Sequence, residues 1–489
     1  MDRVTENTLD FKDLEQWCYD MGMAFARMLM VTALVNLDDK ILKARDKTAY
    51  RSKGFRRLAL KTLMGEVDIY RRLYRTVTDE GAVCHVHLLD RMIGLDTIGK
   101  ISMGLVWRMA EVITESSYRA TSAAISFMTG QSVSHTGVWN VVQMVGSKIK
   151  DIDKRKSKAV KAFMNAGKKA VKVLQEEFDG VWINMQRGDR PTKGRKVEMK
   201  LASAYEGVRF TGMDKARRPS YDLVNPVFLA GFEKADEFFD LKEGLLGGVY
   251  DLDEISARLV NGDGGGWVQG FSKRMGDDTH LQLDPFHIKR EIKRSGVPKK
   301  SQEKIEKAAA MKKIGVMLRY IRLLCHKEAD EKKKERIGKM LAYFSENAEY
   351  MIPIKDRGLD LPDPEDGIVY GNMGTVEGTV CSVIALRMKK RRASFTKAGA
   401  GNLARLLCSK RSGTLGETLF SLSEMSLPLP FEQMVSDVLS ATQTPKIDGK
   451  GFHYPRNGGM PFSGTYTTSG RRAVQIAAGY HWDAESFRL

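Results

Sequence analysis

The chain has 489 residues, 42% of them hydrophobic and 29% charged, a balance that fits folded globular domains and excludes a disordered chain. Lys and Arg number 79 against 61 Asp and Glu, giving a net charge of +18 and a pI near 9.5, so an anionic partner is expected, a phosphate backbone foremost. Five scattered Cys and eight His show no paired metal-ligand spacing, which argues against a disulfide scaffold and a zinc site and for reduced thiols in the cytoplasm.

Early acids Asp2, Glu6 and Asp10 do not fit a signal peptide. The apolar stretch Met28 to Leu37 is shorter than the ~18 residues needed to span a bilayer, so no membrane partner is expected. Residues 10–48 read as one or two helices, RRLALKTLMGEVDIYRRLYR (56–75) as a β-hairpin, CHVHLLD (84–90) as a strand, and 88–115 as helical again. YRATSAAISFM, the turn GQSVS and HTGVWNVVQMV, with Ser134 as a cap, outline a helix-turn-helix, which equally suits plain helical packing. The basic run 147–174 predicts a linker helix lying near phosphates or a solvated helix face.

From residue 175 the pattern turns to strands: EEFDGVWINMQ, KVEMKLASAYEGVRF and NPVFLAGF, then a helix over 232–246, then ARLVNGDG and THLQLDPFH leading into IKREIKR. Three strands, a helix and a further strand bearing an acid resemble the ribonuclease-H-like order. Residues 288–350 predict basic helices whose apolar face carries Ile314, Met317, Ile321 and Leu324, and 445–489 a Gly-rich irregular tail.

Three acids stand out. Asp179 and Asp263 sit in apolar, strand-like runs and each precedes Gly, while Glu377 opens a helix-like segment rich in Lys and Arg. Asp-Gly is also a turn dipeptide, and a Glu near a helix start also suits the helix dipole. An isolated buried acid is costly without a positive partner, and a divalent cation is one. Phosphoryl transfer on DNA needs an activated oxygen nucleophile and neutralised phosphate charge, which two divalent ions about 4 Å apart supply. Carboxylates suffice to hold Mg²⁺. Asp179 is therefore expected to bridge two ions, with Asp263 and Glu377 completing one site each. Asp284-Pro285-Phe286-His287 forms a second constellation, in which His287 either meets a phosphate, orients a strand end or simply starts a helix.

These residues resemble the ISLre-type transposases of bacterial insertion sequences, long carried as an uncharacterised protein family and related to the Mutator-like transposases. The resemblance rests on TLMGEVDIYRRLYR, HLLDRMIGL and SYRATSAAISF with SVSHTGVWN. It continues through FDGVWINMQ, VEMKLASAYEG, NGDGGGWVQ, LDPFHIKR and TVEG followed by ALRMKKR. It implies a DDE triad falling on Asp179, Asp263 and Glu377, two Mg²⁺ or Mn²⁺ ions, and an acid-x-x-His motif falling on Asp284 and His287. It also implies binding of inverted-repeat ends and target DNA; a homodimer is expected, since two ends must be held together. Thr379, Cys381 and Ser382 replace a common His after the Glu, and Phe395-Thr396 replaces an aromatic-Ser pair.

The fold expected is α/β, a ribonuclease-H-like mixed sheet with a helical insertion behind a mainly helical DNA-binding region. The layout is 1–115 N-terminal, 116–174 helix-turn-helix and linker, 175–291 first core part, 292–360 insertion, 361–444 second core part and 445–489 tail. A structure-specific DNA nuclease and a non-enzymatic helix-turn-helix regulator are the competing expectations.

Overall fold

The computed structural model describes residues 10–422 except 79, 94–99, 165–166, 215–216, 372, 375–377, 379–380 and 390–392. Glu377 and the tail over 445–489 thus lie outside the described residues. The chain divides into two compact units, one built mainly from residues up to Val141, the other from Val142–Thr418.

In the first unit one continuous helix, α1 (Phe11–Ala44), packs on a hairpin of β1 (Arg51–Thr62) and β2 (Gly65–Val77). Gly65, at φ +108°, closes the tight turn, a conformation that L side chains resist. Leu37 and Ile41 of α1 join Leu58, Leu60, Val67 and Ile69 in one core. Beside them buried Asp38 accepts from Arg72 Nη1 at 2.9 Å. A third strand, β3 (Val83–Val86), pairs with β2, and α2 (Leu88–Met92) follows. By length and composition α1 is long and apolar enough to cross a membrane, which the shorter stretch Met28–Leu37 is not.

Helices α3 (Met103–Glu115) and α4 (Tyr118–Thr129) start at Ser102 and Ser117, whose hydroxyls accept backbone N–H groups. Gly130 ends α4 in the left-handed conformation, and Ser134 Oγ accepts from Gly137 N at 3.0 Å at the start of α5 (His135–Lys161). The basic run differs from expectation. It is the continuation of α5, which ends at Lys161, and by Val173 the chain is already in a strand. Val142, Val145, Ile149, Asp153 and Ser157 are buried along one stripe, leaving the basic residues on the other face.

The second unit is built on a mixed five-stranded sheet ordered β10-β9-β4-β5-β8. Its strands are β4 (Val173–Asn184), β5 (Lys196–Tyr205), β8 (Val227–Gly231), β9 (Ala257–Gly262) and β10 (Thr279–Leu283). β4, β5 and β8 are antiparallel neighbours, while β9 runs parallel to β4 and β10 parallel to β9. The run KVEMKLASAYEGVRF is not one strand. It breaks at Glu206-Gly207, and β6 (Val208–Met213) pairs with β7 (Pro219–Leu223) in a separate hairpin.

Two helices cover the face of Phe178: α6 (Ala235–Leu246) and α7 (Gly266–Met275). Phe238, Phe239, Val268 and Phe271 fill the space between. α8 (Pro285–Arg294) follows β10 and leads to α9 (Lys299–Ala310), α10 (Ile314–Lys327) and α11 (Glu331–Glu346), the helical insertion. Ile314, Met317 and Ile321 form its core with Ile337, Met340 and Phe344, and Leu324 is partly buried against them. A π-type helix spans Cys381–Lys389, and α12 (Lys397–Arg411) packs near β8.

Candidate active site

Strand register sets the geometry of the acids. Glu177 of β4 pairs with Asn261 of β9 in parallel register, the last pair of that ladder, and Asp179 and Asp263 each follow two residues later, Asp179 still within β4 and Asp263 just beyond β9. Leu283 of β10 pairs with Gly262, so the next residue, Asp284, stands beside Asp263. Asp179 thus lies within β4, where its pairing with β9 stops, and Asp263 and Asp284 each directly follow the last residue of β9 and β10. A crevice outside such strand ends is where open α/β sheets bind ligands.

Asp179 is 5% exposed, and its Oδ1 accepts from Gly180 N at 2.7 Å. Asp263 is half-buried in the loop after β9. Its Oδ1 accepts from Gly265 N at 2.8 Å, and its carbonyl accepts from the Tyr343 hydroxyl of α11 at 2.7 Å, tying the helical insertion to the site. Asp284, 1% exposed, caps α8 by accepting from Phe286 N at 2.7 Å, while its Oδ2 accepts from Asn261 Nδ2 at 3.0 Å. The same Nδ2 reaches Glu177 Oε2 at 3.3 Å, and Gly374 N donates to that oxygen at 3.1 Å. Tyr205 donates its hydroxyl to Glu177 Oε1.

His287 sits behind Asp179, 2% exposed, with Nε2 3.6 Å from Asp179 Oδ1. Burial holds its pKa down to about 4, and the charges of Arg290 and Arg294 add to the effect. The imidazole is therefore neutral at physiological pH. Arg290 Nη2 lies 2.8 Å from Nδ1. A guanidinium only donates, so Nδ1 accepts and the ring proton is on Nε2, facing Asp179.

The reading of the sequence overlooked several residues here. Glu198 of β5 covers Gly180, where a Cβ would overlap its Oε1. Burial raises the Glu198 pKa, with Asp263 adding to it and Lys200 opposing. Glu177, Asn261 and Gln282 each stand two residues before Asp179, Asp263 and Asp284. The repeated pattern of a polar residue, one residue, then Asp was the available signal, because alternate residues share a face. Among the described residues no three His, Cys, Asp or Glu side chains are grouped so as to hold a metal ion. Asp179 and Asp263 are described, and Glu377 is not.

Fold and site define a mixed α/β protein with Asp179 within β4 and Asp263 and Asp284 just beyond the neighbouring parallel strands β9 and β10. The chain belongs to the uncharacterised protein family UPF0236, whose model matches residues 4–419. A UPF0236 protein in the vanSb 3′ region of Streptococcus gallolyticus is 26% identical over 360 residues, 72% of each chain. The Drosophila P element transposase strand transfer complex aligns over 76% of this chain and 90% of its own, at 11% identity and a TM-score of 0.22, too slight a likeness to carry an argument.

Proposed function

We propose that this chain is a DDE transposase with a ribonuclease-H-like catalytic unit. It binds the inverted-repeat ends of an insertion sequence, cleaves the DNA there and joins the freed 3′-hydroxyl to target DNA. The observation that carries the reading is the parallel pairing of Glu177 with Asn261, each two residues before Asp179 and Asp263. A sheet whose first three strands are antiparallel and whose last two run parallel to the first supports the ribonuclease-H-like core. The resemblance to ISLre-type transposases over the same residues supports the particular activity.

The donor set is of the hard-oxygen kind that Mg²⁺ or Mn²⁺ takes. Asp179 and Asp263 supply two of the carboxylates, and the reading requires Glu377 to complete the set. Two bound ions would neutralise charge on the scissile phosphate and acidify the attacking water. Asp284 and Asn261 fix the start of α8, and through it His287. The neutral imidazole keeps its Nε2 proton toward Asp179 and so orients that carboxylate. DNA ends would be held by residues 1–174, by two copies of the chain, in the cytoplasm.

The test is cleavage of DNA carrying the element's ends in the presence of Mg²⁺. Asp179→Asn should lower the rate by a factor on the order of 1,000, roughly 4 kcal/mol of transition-state stabilisation. A variant that cuts as fast as the parent removes Asp179 from the chemistry. Cutting of branched junctions without preference for repeat ends would make the protein a structure-specific nuclease instead.

A further inference from the structure

The sheet face that carries Glu177 and Asp179 also carries Gln175, two residues nearer the start of β4. Gln175 is 1% exposed. Its Nε2 donates to the Gly371 carbonyl at 3.2 Å, which fixes the orientation of the amide, since a flipped amide would set two oxygens together. Oε1 is left buried with no hydrogen-bond partner, a costly state for a carbonyl away from water.

Gln175 lines a cavity of about 290 Å³, together with Leu259, Gln282, Lys355, Tyr370 and Met373. The other amide there is engaged at both its nitrogen and its oxygen. Gln282 Nε2 donates to Asn261 Oδ1 at 3.0 Å, and its Oε1 accepts from Ile354 N at 2.9 Å. The space is several times the roughly 30 Å³ share of one water, and its largely apolar wall gives water few partners. It is close to the lower end of the roughly 300–1,000 Å³ typical of ligand pockets. Lys355 is exposed and carries its charge at the rim.

We propose that this cavity takes a nucleobase turned out of the DNA. The base lies against Leu259, Met373 and the Tyr370 ring, an N–H of the base donates to Gln175 Oε1, and Lys355 pairs with the adjoining phosphate. Every base offers a planar apolar face and at least one N–H, so the pocket needs only its one open acceptor. Gln175 is four residues from Asp179 along β4, or ~13 Å, which sets the extruded base within a few nucleotides of the scissile phosphate. The inference rests on the reading of the chain as a DNA-cleaving transposase, and it assigns that site a subsite for the strand beside the cut.

The test uses the full chain and a short duplex with one 2-aminopurine in a mismatch, where extrusion costs least. Emission of 2-aminopurine rises when it leaves the stack. The parent and Asp179→Asn should both raise it, since base capture needs no chemistry. Gln175→Leu, and Leu361→Trp, which fills the cavity from another of its lining residues, should cut the emission rise at saturation about tenfold. Overall DNA affinity, read by anisotropy, should change less than about twofold, because phosphate contacts dominate it. Lys355→Gln, an exposed substitution that leaves the core intact, should cut the emission rise about threefold and covers the case in which Gln175→Leu does not fold. End cleavage without any rise in emission overturns the pocket and leaves the transposase standing. A rise that depends on Gln175 in a protein that never cleaves keeps the pocket and removes the transposase. A rise that survives in all three variants overturns the assignment of this cavity.

Discussion

Asp153 is an acid kept charged against its surroundings. It lies buried on α5, facing Arg405 of α12 at 3.3 Å, with Glu233 and Lys156 near by. Burial, outweighing Arg405, lifts its pKa to about 6 from an ordinary 3.8. The folded state then takes up this proton before the unfolded state does. Ionised Asp153 costs stability above about pH 6, and that cost is relieved as pH falls from about 6 towards 3.8, by up to roughly 3 kcal/mol. The parent should therefore gain stability relative to Asp153→Asn between about pH 7.5 and 4.5, measured by urea unfolding. A difference constant across that window sinks the assignment. The residues of the site were unequally legible in the sequence. Asp179 and Asp263 stood out as lone acids in apolar runs. Glu198 did not, because its neighbour Asp263 is 65 positions away and only the pairing of β5 with β4 and β4 with β9 joins them. His287 was visible in its motif, but its tautomer depends on Arg290, one helical turn later.

At the scale of elements, the sheet is clamped to α6 by buried charge. Glu176 points to the face opposite Glu177 and accepts from Lys242 and from Arg258 Nη1, the latter at 2.6 Å. Glu243 pairs with Lys242 at 2.8 Å and with Arg258 at 2.9 Å, so two acids and two bases of β4, β9 and α6 satisfy one another. The Lys242 ammonium also lies 3.9 Å from the Phe271 ring centre. Removing one member leaves buried charge uncompensated. Lys242→Met should cost roughly 3 kcal/mol, read as faster hydrogen exchange of the β4 amides. Protection equal to that of the parent would mean the cluster does not hold the helix to the sheet. The five strands of the sheet were legible as strand-like runs, even β4, which carries Gly180 within it. α7 was not. Its sequence carries no helix signal, since Gly266 and Gly270 weaken helix propensity, yet Val268 and Phe271 bury completely beside Phe178, and this packing outweighs that weakness. The split of β5 from β6 was equally hidden, because the apolar pattern runs on through Gly207 while the pairing changes partner.

At the scale of the whole molecule, the charge of +18 makes a quantitative demand on the proposed DNA binding. Each phosphate neutralised by a Lys or Arg releases condensed counterions, so log affinity falls with log salt by about 0.9 per contact on duplex DNA. Lys148, Lys154, Arg155 and Lys158 are all exposed on α5, whose opposite face is buried, so they form a basic stripe on a packed helix. Such a stripe can follow a phosphate backbone with little ordering cost. Raising salt from about 50 to 200 mM should therefore weaken binding of the parent by at least 100-fold, as for proteins that make several phosphate contacts. Replacing the four residues by Gln should reduce the slope by up to about 0.9 for each one that contacts a phosphate, at every DNA sequence alike. Anisotropy titrations at several salt concentrations read this directly. An unchanged slope in the fourfold variant would mean that the stripe is only a solvated helix face and that the basic excess acts elsewhere.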